Sequence, residues 1–183
     1  MIKIKAEGQI THHGRLAQGA NFLLEEYERK ISDDGRGTFY FLLGSIMFSA
    51  FRAEGCINVV GWRLLREAWP DSLGWRDKIK LIYGIAKKEA DFSRRPLQTV
   101  SSLFSARNDW AHAKPEIVNA IYSRQTLDWP EDDPFVSQLV RNVTIEFAKR
   151  CEKDVDTFFE DLLQVSQVEL VDTLTSGTET GLQ

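Results

Sequence analysis

Two side chains that together can move a proton and hold negative charge lie close together in the stretch FSARNDWAHAKP, residues 104–115. Arg107 carries a permanent charge on a planar group that matches phosphate, and His112 exchanges a proton near neutral pH. Cleavage of RNA by its own 2′-hydroxyl needs both functions: a group that trades protons with the attacking or leaving oxygen, and a cation that stabilises charge on the phosphate oxygens. The two residues are therefore candidate catalytic groups for a reaction that needs no metal.

The helix that carries this stretch must end near His112 if both side chains are to reach one phosphate. Positions five apart in an unbroken α-helix are turned from each other by about 140°. Pro115 disfavours helical backbone in the residue before it, which lets the helix unwind just beyond the imidazole. A helix C-terminus also favours a protonated His by roughly 0.3–1 kcal/mol. The sequence predicts a helix that starts near Arg95-Pro96 and ends or bends at Pro115.

The motif RNDWAH, residues 107–112, resembles that of the HEPN superfamily. Ribonucleases of that superfamily carry an Arg, four to six intervening residues and a His, usually with Asn, Asp or His directly after the Arg. The earlier stretch FSAFRAEGCINVVG resembles their Glu-bearing second helix. The resemblance implies metal-independent endoribonuclease activity that leaves 2′,3′-cyclic phosphate and 5′-hydroxyl ends. It also implies a homodimer that brings two motifs into one cleft, and a setting in toxin–antitoxin systems or phage defence, with a possible antitoxin or partner protein.

The resemblance gives each polar residue near the motif an expected role. Arg107 and His112 are the expected catalytic residues, and Asn108 is expected to position one of them. Glu54 and Asn58 are expected to face the motif helix, where Glu54 could orient Arg107 or His112 through a charge-assisted hydrogen bond. The expected substrate is single-stranded RNA or a tRNA loop, because a duplex forbids the in-line geometry of the reaction. The expected RNA-binding residues are Lys114, Arg94 and Arg95.

A non-catalytic interpretation of the same residues remains open. Arg107 lies on an apolar helix face and could pair with Glu54 as a buried ion pair, and His112 could cap its own helix. Removing one partner of a buried pair commonly costs about 3–5 kcal/mol. The chain would then be a helical dimerisation module of the same fold that binds a partner protein or a nucleotide.

Charge is distributed unevenly along the chain, whose net charge is −4. The segment from Arg76 to Lys114 holds nine basic and four acidic residues, whereas the segment from Asp128 to the C-terminus holds thirteen acidic and four basic residues. A locally basic segment can attract a polyanion such as RNA. The alternative is a solvated basic face.

Other reactive residue types form weaker patterns. His12 and His13 have no acid or Cys at ligand spacing, so an exposed pair is expected rather than a metal site, and no cofactor-binding loop is found. Cys56 and Cys151 are expected to be small apolar residues in a reducing compartment. No stretch approaches the roughly 18–20 apolar residues of a membrane span, and the N-terminus lacks the apolar block of a signal peptide. We therefore expect a cytoplasmic protein that does not enter a membrane.

The spacing of apolar residues predicts an all-α protein, an antiparallel bundle of four to five helices. Residues 1–13 form an expected N-terminal arm, which alternates like a strand but has no partner of similar pattern. Residues 14–168 form the HEPN-like helical domain, and residues 169–183 a disordered, flexible tail. The predicted helices run from about Arg15 to Ile31, from Thr38 to about Trp69, through DSLGWRDKIKLIYGIAKKE, through LQTVSSLFSARNDWAHA, and from Phe135 to about Val168, with a short turn and an acidic loop before the last.

The second predicted helix carries the longest apolar pattern. A helical wheel places Glu54 and Asn58 on its apolar stripe, where a carboxylate needs a partner. The apolar members of that stripe are Met47, Phe51, Trp62 and Leu65, and the residues on the opposite side are Arg52, Cys56, Arg63 and Arg66. We expect three tryptophans to be core or interface anchors and not base-stacking platforms: Trp62, Trp75 and Trp110. Trp110, beside the motif, could be either.

Overall fold

The computed structural model describes residues 3–33, 35–115, 117 and 136–182. Most of these residues are helical, which confirms the all-α class, and within them two strands form one small sheet. The elements in chain order are β1 (Lys3–Gln9), α1 (His13–Ile31), α2 (Thr38–Leu65), α3 (Trp75–Ile85), α4 (Leu97–Ala111), α5 (Gln138–Arg141), α6 (Ile145–Ser166) and β2 (Ser176–Leu182), with 3₁₀ turns at Arg66–Ala68 and Leu170–Thr173. The turn and acidic loop predicted before the last helix lie almost entirely outside the described residues.

Helix α2 is the centre of the structure and contacts α1, α3, α4 and α6. Because it has neighbours on several sides, its buried positions do not form one stripe. Phe51, expected on the buried stripe, is exposed, and Cys56, expected on the opposite side, is completely buried. The prediction of a single buried stripe is wrong. A helical wheel assumes that one face of the helix is exposed to solvent, whereas α2 is covered by other helices on several sides.

Glycines allow α1 and α2 to approach closely. A Cβ at Gly19 of α1 would lie 2.9 Å from the ring of Phe48, and a Cβ at Gly44 of α2 would lie 2.8 Å from a methyl group of Leu23. Each glycine thus makes room for a large side chain of the facing helix. None of the described helices combines the length and the apolar character needed to cross a membrane.

The single helix predicted from Phe135 to Val168 is two helices, α5 and α6. The chain leaves the helix at Asn142, and Thr144 starts α6 with its side-chain oxygen accepting a hydrogen bond from the Phe147 N–H at 3.2 Å. A threonine in extended backbone that satisfies an unpaired N–H of the first turn is a strong helix start. Apolar spacing continued across the break, so periodicity alone did not reveal it.

The N-terminal arm and the C-terminal tail pair with each other. Strands β1 and β2 are antiparallel, with Lys3 opposite Leu182 and Gln9 opposite Ser176. Beside them the backbone N–H of Thr11 donates to the hydroxyl of Thr175 at 3.1 Å. The expectations of an arm without a partner and of a disordered tail are therefore wrong. The tail lacks the apolar alternation that marks a strand, and its pairing depends on the fold bringing the two chain ends together.

Candidate functional site

Helix α4 positions the motif by burying its first two and a half turns. Leu97, Val100, Leu103 and Phe104 are buried among the central helices, so the last turn projects from the core. The helix starts directly after Pro96 and ends before Pro115, as the two prolines predict.

His112 lies just outside α4 and is exposed. Its backbone, at φ −119° and ψ 26°, has left the helical region, while its N–H still donates to the carbonyl of Asn108 at 2.9 Å. The residue lines an open cleft of about 520 Å³ together with Asn108, Lys114 and Leu139. The imidazole is therefore placed where a ligand on the surface could reach it.

The guanidinium of Arg107 is held from two sides. Its Nη1 donates to Glu54 Oε2 in a charge-assisted hydrogen bond, which is the contact expected from the sequence. Its Nε and Nη2 donate to Asn108 Oδ1 at 3.3 and 3.1 Å. The guanidinium also lies 5.1 Å from the ring centre of Phe104. The Arg107 side chain is 23% exposed and that of Glu54 40% exposed, so this pair lies at the surface rather than inside the core.

Asn108 links the two expected catalytic residues. Its side-chain oxygen orients Arg107, its carbonyl accepts from the backbone of His112, and the residue lines the His112 cleft. A guanidinium carries five N–H groups, and the described hydrogen bonds use three of them. One N–H on each terminal nitrogen is left to bind a phosphate oxygen.

A second depression of about 430 Å³ adjoins the cleft and shares Asp109 with it. Arg150 of α6, Ser102 and Ser105 of α4, and Thr144 line it. Arg150 was not among the predicted residues because it lies far from the motif in a predominantly acidic part of the chain. It places a cation in the depression next to the His112 cleft.

Asn58 is not part of this arrangement. Its Oδ1 accepts from Lys78 Nζ at 3.0 Å and from Trp69 Nε1 at 3.4 Å, and these are its hydrogen bonds within the described chain. The prediction that Asn58 faces the motif helix is therefore wrong. Asn58 follows Glu54 by four residues and so shares its face of α2. At that point, however, α2 lies against α3 and no longer against α4.

Arg94 and Arg95 lie at the opposite end of α4 from His112. The helix has 15 residues and is about 22 Å long, so residues before its start are remote from its C-terminus. Arg95 donates through Nε to Asp154 Oδ2 at 2.6 Å and through Nη2 to Asp154 Oδ1. Arg94 is exposed and pairs with Asp91 at 3.4 Å. Of the three expected RNA-binding residues, Lys114 lines the same cleft as His112. Arg94 and Arg95 lie far from it.

The histidines at the start of α1 differ in exposure. His12 is exposed, but His13 is only 5% exposed, so the prediction of an exposed pair is wrong for His13. Burial, followed by the charge of Arg52, lowers the pKa of His13 below its ordinary value of 6.5. The His13 ring packs against Phe159 at 5.0 Å between ring centres. Its burial follows from α1 beginning earlier than the apolar pattern indicated.

The cysteines behave as small apolar residues. Cys56 and Cys151 are both free and buried, and burial raises the pKa of each thiol to about 12. A thiol protonated at neutral pH is a poor nucleophile and a poor metal ligand. Within the described residues no cluster of three or more His, Cys, Asp or Glu side chains could hold a metal ion.

Comparison of the chain with known proteins found no matching family model, no matching curated protein and no matching solved structure.

Proposed function

We propose that the chain is a metal-independent endoribonuclease of the HEPN type that acts on single-stranded RNA or tRNA loops. The observation that carries the proposal is the placement of His112 in an open cleft, next to an Asn108 amide that orients Arg107. An accessible imidazole and a positioned guanidinium are the two groups that the 2′-hydroxyl reaction needs. The HEPN-like bundle, the homodimer and a role in toxin–antitoxin systems or phage defence follow from the motif resemblance and belong to the same proposal.

In the proposed reaction the 2′-oxygen attacks the adjacent phosphorus, and the bond from phosphorus to the 5′-oxygen breaks. A general base takes the 2′-hydroxyl proton, and a general acid gives a proton to the departing 5′-oxygen. His112 can fill either role, and in a homodimer two copies of His112 would supply both. Arg107 would stabilise the charge that builds on the non-bridging oxygens. The products are a 2′,3′-cyclic phosphate and a 5′-hydroxyl.

Each surrounding residue has a corresponding task. Asn108 and Glu54 would hold the guanidinium in one orientation, which lowers the cost of ordering it when substrate binds. Lys114 and Arg150 would contact phosphates on either side of the scissile bond. Such contacts bind the backbone and carry no sequence preference of their own.

The test compares wild type with His112→Ala on a pool of single-stranded RNA in the presence of EDTA. We expect cleavage to fall by about 100-fold or more, since removal of a general acid or base commonly has an effect of this size. His12→Ala, which removes an exposed histidine that does not line the His112 cleft, is the matched control and should cut normally. An RNA with a 2′-deoxy nucleotide at the cleaved position should resist the wild type.

A second candidate function rests on the Glu54 contact to Arg107. A guanidinium already bound by a carboxylate and an amide could be a structural tie in a non-catalytic helical dimerisation module that binds a partner protein or a nucleotide. If wild type cuts no RNA in the pool, or His112→Ala cuts equally well, this module is the better description. Light scattering of the purified chain tests the homodimer that both functions require.

A further inference from the structure

A pocket of about 400 Å³ lies along α2, one helical turn beyond Glu54. It is bounded by the chain before α1, by α2 and by the segment after α2. The residues that line it include Trp62, Trp69, Asn58, His13 and Asp71. We call it the indole pocket. Its size is within the range of small-molecule sites, and it combines aromatic walls with a few polar groups, as such sites do.

One indole wall is fixed in place by its neighbours. A Cβ at Gly61 would lie 2.1 Å from the six-membered ring of Trp69, so that ring packs directly onto the α2 backbone. The indole Nε1 donates to Asn58 Oδ1. The other indole, Trp62, is partly exposed and has the guanidinium of Arg66 at 4.6 Å from its ring centre. Trp69 is only 7% exposed, so the surface that the pocket offers to a flat ring is the partly exposed indole of Trp62.

The Asn58 amide is oriented so that its N–H₂ group remains for a ligand. Both described hydrogen bonds to Asn58 end on Oδ1, one from Lys78 and one from Trp69. Donors on one side of an amide assign that side as the oxygen, and leave the nitrogen as a donor. Asn58 Nδ2 makes no hydrogen bond to another described residue, and Asn58 lines the pocket.

Lys78 places a buried positive charge beside the same amide. The residue is only 7% exposed, and no described carboxylate forms an ion pair with it. Its described contacts are Asn58 Oδ1 and the ring of Trp69, whose centre is 5.5 Å away. Lys78 lies behind the pocket wall, where its charge polarises the Asn58 amide that lines the pocket.

The imidazole of His13 adds a second unmatched polar group. His13 is nearly fully buried, and its Nδ1 has no hydrogen-bond partner within the described residues. Buried polar atoms in native proteins almost always have a partner. A ligand or a water held in the pocket is a natural source of one.

These groups together point to one chemical class of ligand. We propose that the indole pocket binds a nucleobase that carries a ring carbonyl next to a ring N–H, as guanine and uracil do. The base would stack on Trp62, its carbonyl would accept from Asn58 Nδ2, and its N–H would donate to Asp71. Adenine and cytosine lack the ring N–H. An aliphatic ligand would leave the amide and the carboxylate unmatched, and a small inorganic anion would not use the indole.

Such a base can come from a free nucleotide or from an RNA strand. Asn58 lies one helical turn beyond Glu54, which binds Arg107, so a strand cut at the proposed nuclease site could also place a base here. The base-binding chemistry does not depend on the nuclease. Binding without cleavage would leave this proposal standing and remove the nuclease one.

The test is calorimetric titration of the full chain, in the His112→Ala background so that RNA stays intact. We expect GMP and UMP to bind at least about tenfold tighter than AMP and CMP, a factor typical of one lost polar contact. Oligouridylate is the second arm. If it binds and UMP does not, the pocket holds a base of a strand; if UMP binds equally well, it is a nucleotide site.

Two variants locate the binding. Asn58→Asp keeps acceptors for Lys78 and Trp69 but replaces the N–H₂ donor with an oxygen, so it should stay folded and lose the binding by at least tenfold. Asp71→Asn changes an exposed side chain and should reduce the preference for GMP and UMP over AMP and CMP. Asp172→Asn, on the exposed 3₁₀ turn near the C-terminus, is the matched control and should bind as before. Equal binding of all four nucleotides, no binding of any base in either arm, or unchanged binding by folded Asn58→Asp would each overturn the proposal.

Discussion

The two ends of α4 each hold an arginine against a carboxylate, and the two pairs differ in which groups are buried. Before the helix, Arg95 is 52% exposed but its partner Asp154 is only 5% exposed. Near the end of the helix, Arg107 and Glu54 are 23% and 40% exposed. The first pair therefore neutralises a carboxylate inside the protein, while the second leaves both groups within reach of solvent and of a ligand.

The surroundings of the carboxylates reinforce this difference. Thr99 also donates to Asp154 at 2.5 Å, so three donors converge on one buried group. Glu54 takes its described hydrogen bond from Arg107 alone. Similar pairs of residue types thus serve different purposes: one neutralises a buried carboxylate, and the other holds a guanidinium in place at the surface.

The largest expected effect comes from removing the arginine at the first pair. Arg95→Met leaves the buried Asp154 carboxylate with Thr99 but without its bidentate cation, so the loss should exceed the roughly 1 kcal/mol of an exposed ion pair. Urea denaturation should show this loss in the free energy of unfolding. Arg94→Met, which changes the exposed neighbour, is the matched control and should unfold like wild type. A loss as small as that of the control would mean that Asp154 does not depend on Arg95.

The next effect is a change in the acid dependence of stability. Burial alone would raise the pKa of Asp154, but the hydrogen bonds from Arg95 and Thr99 and the charge of Arg95 outweigh it, so the pKa lies below the ordinary 3.8. As the pH falls, the unfolded state therefore takes up this proton at a higher pH than the folded state does. The stabilisation that ionised Asp154 gives is complete above about pH 4 and is lost as the pH falls through the pKa of the folded state. In Arg95→Met the unpaired buried carboxylate has a raised pKa, so its protonation favours folding.

The measurement is the difference in unfolding free energy between wild type and Arg95→Met, taken from about pH 6 down to about pH 3. Other carboxylates titrate in both proteins and cancel in the difference. We expect the gap to narrow as the pH falls. A gap that stays constant or widens would show that the cost of Arg95→Met does not arise from the Asp154 charge.

A smaller loss of stability is expected at the second pair. Arg107→Met breaks a partly exposed ion pair, which is worth about 1 kcal/mol or less. RNA cleavage should nevertheless fall by about 100-fold, because the guanidinium has no substitute at the phosphate. Glu54→Gln keeps an acceptor for Arg107 and should lose less activity than Arg107→Met. A stability loss as large as that of Arg95→Met would instead make this pair a structural tie.

A smaller change in the pH dependence of stability is expected when the buried His13 is replaced. Because burial and Arg52 lower the pKa of His13, the folded protein favours the neutral imidazole, and its contribution is complete above about pH 6.5 and declines as the pH falls below that. His13→Phe keeps the ring packing against Phe159 and should flatten stability between about pH 7 and pH 5. A slope in His13→Phe identical to that of wild type would contradict the assignment.

Much of the site could be predicted from sequence because its residues are close together in the chain. The helix that holds Arg107, its end before Pro115 and the exposure of His112 follow from local rules on proline and helix termini. The resemblance left Arg107 or His112 as the expected partner of Glu54, and the structure shows the contact to Arg107. The wrong prediction for Asn58 shows the limit of such local rules. Residues four apart share one face of a helix, but they can contact different neighbouring helices.

What the sequence determined by itself is local: where α4 starts and ends, that the chain is mostly helical, and which short stretch carries an arginine, an asparagine and a histidine in order. The tertiary structure alone decided that the chain ends pair as strands, that Arg95 binds Asp154, and that Asn58 and two indoles meet around one pocket. The physical reason is that propensity and capping act between residues a few positions apart. Long-range partners are selected by packing, which depends on every helix at once.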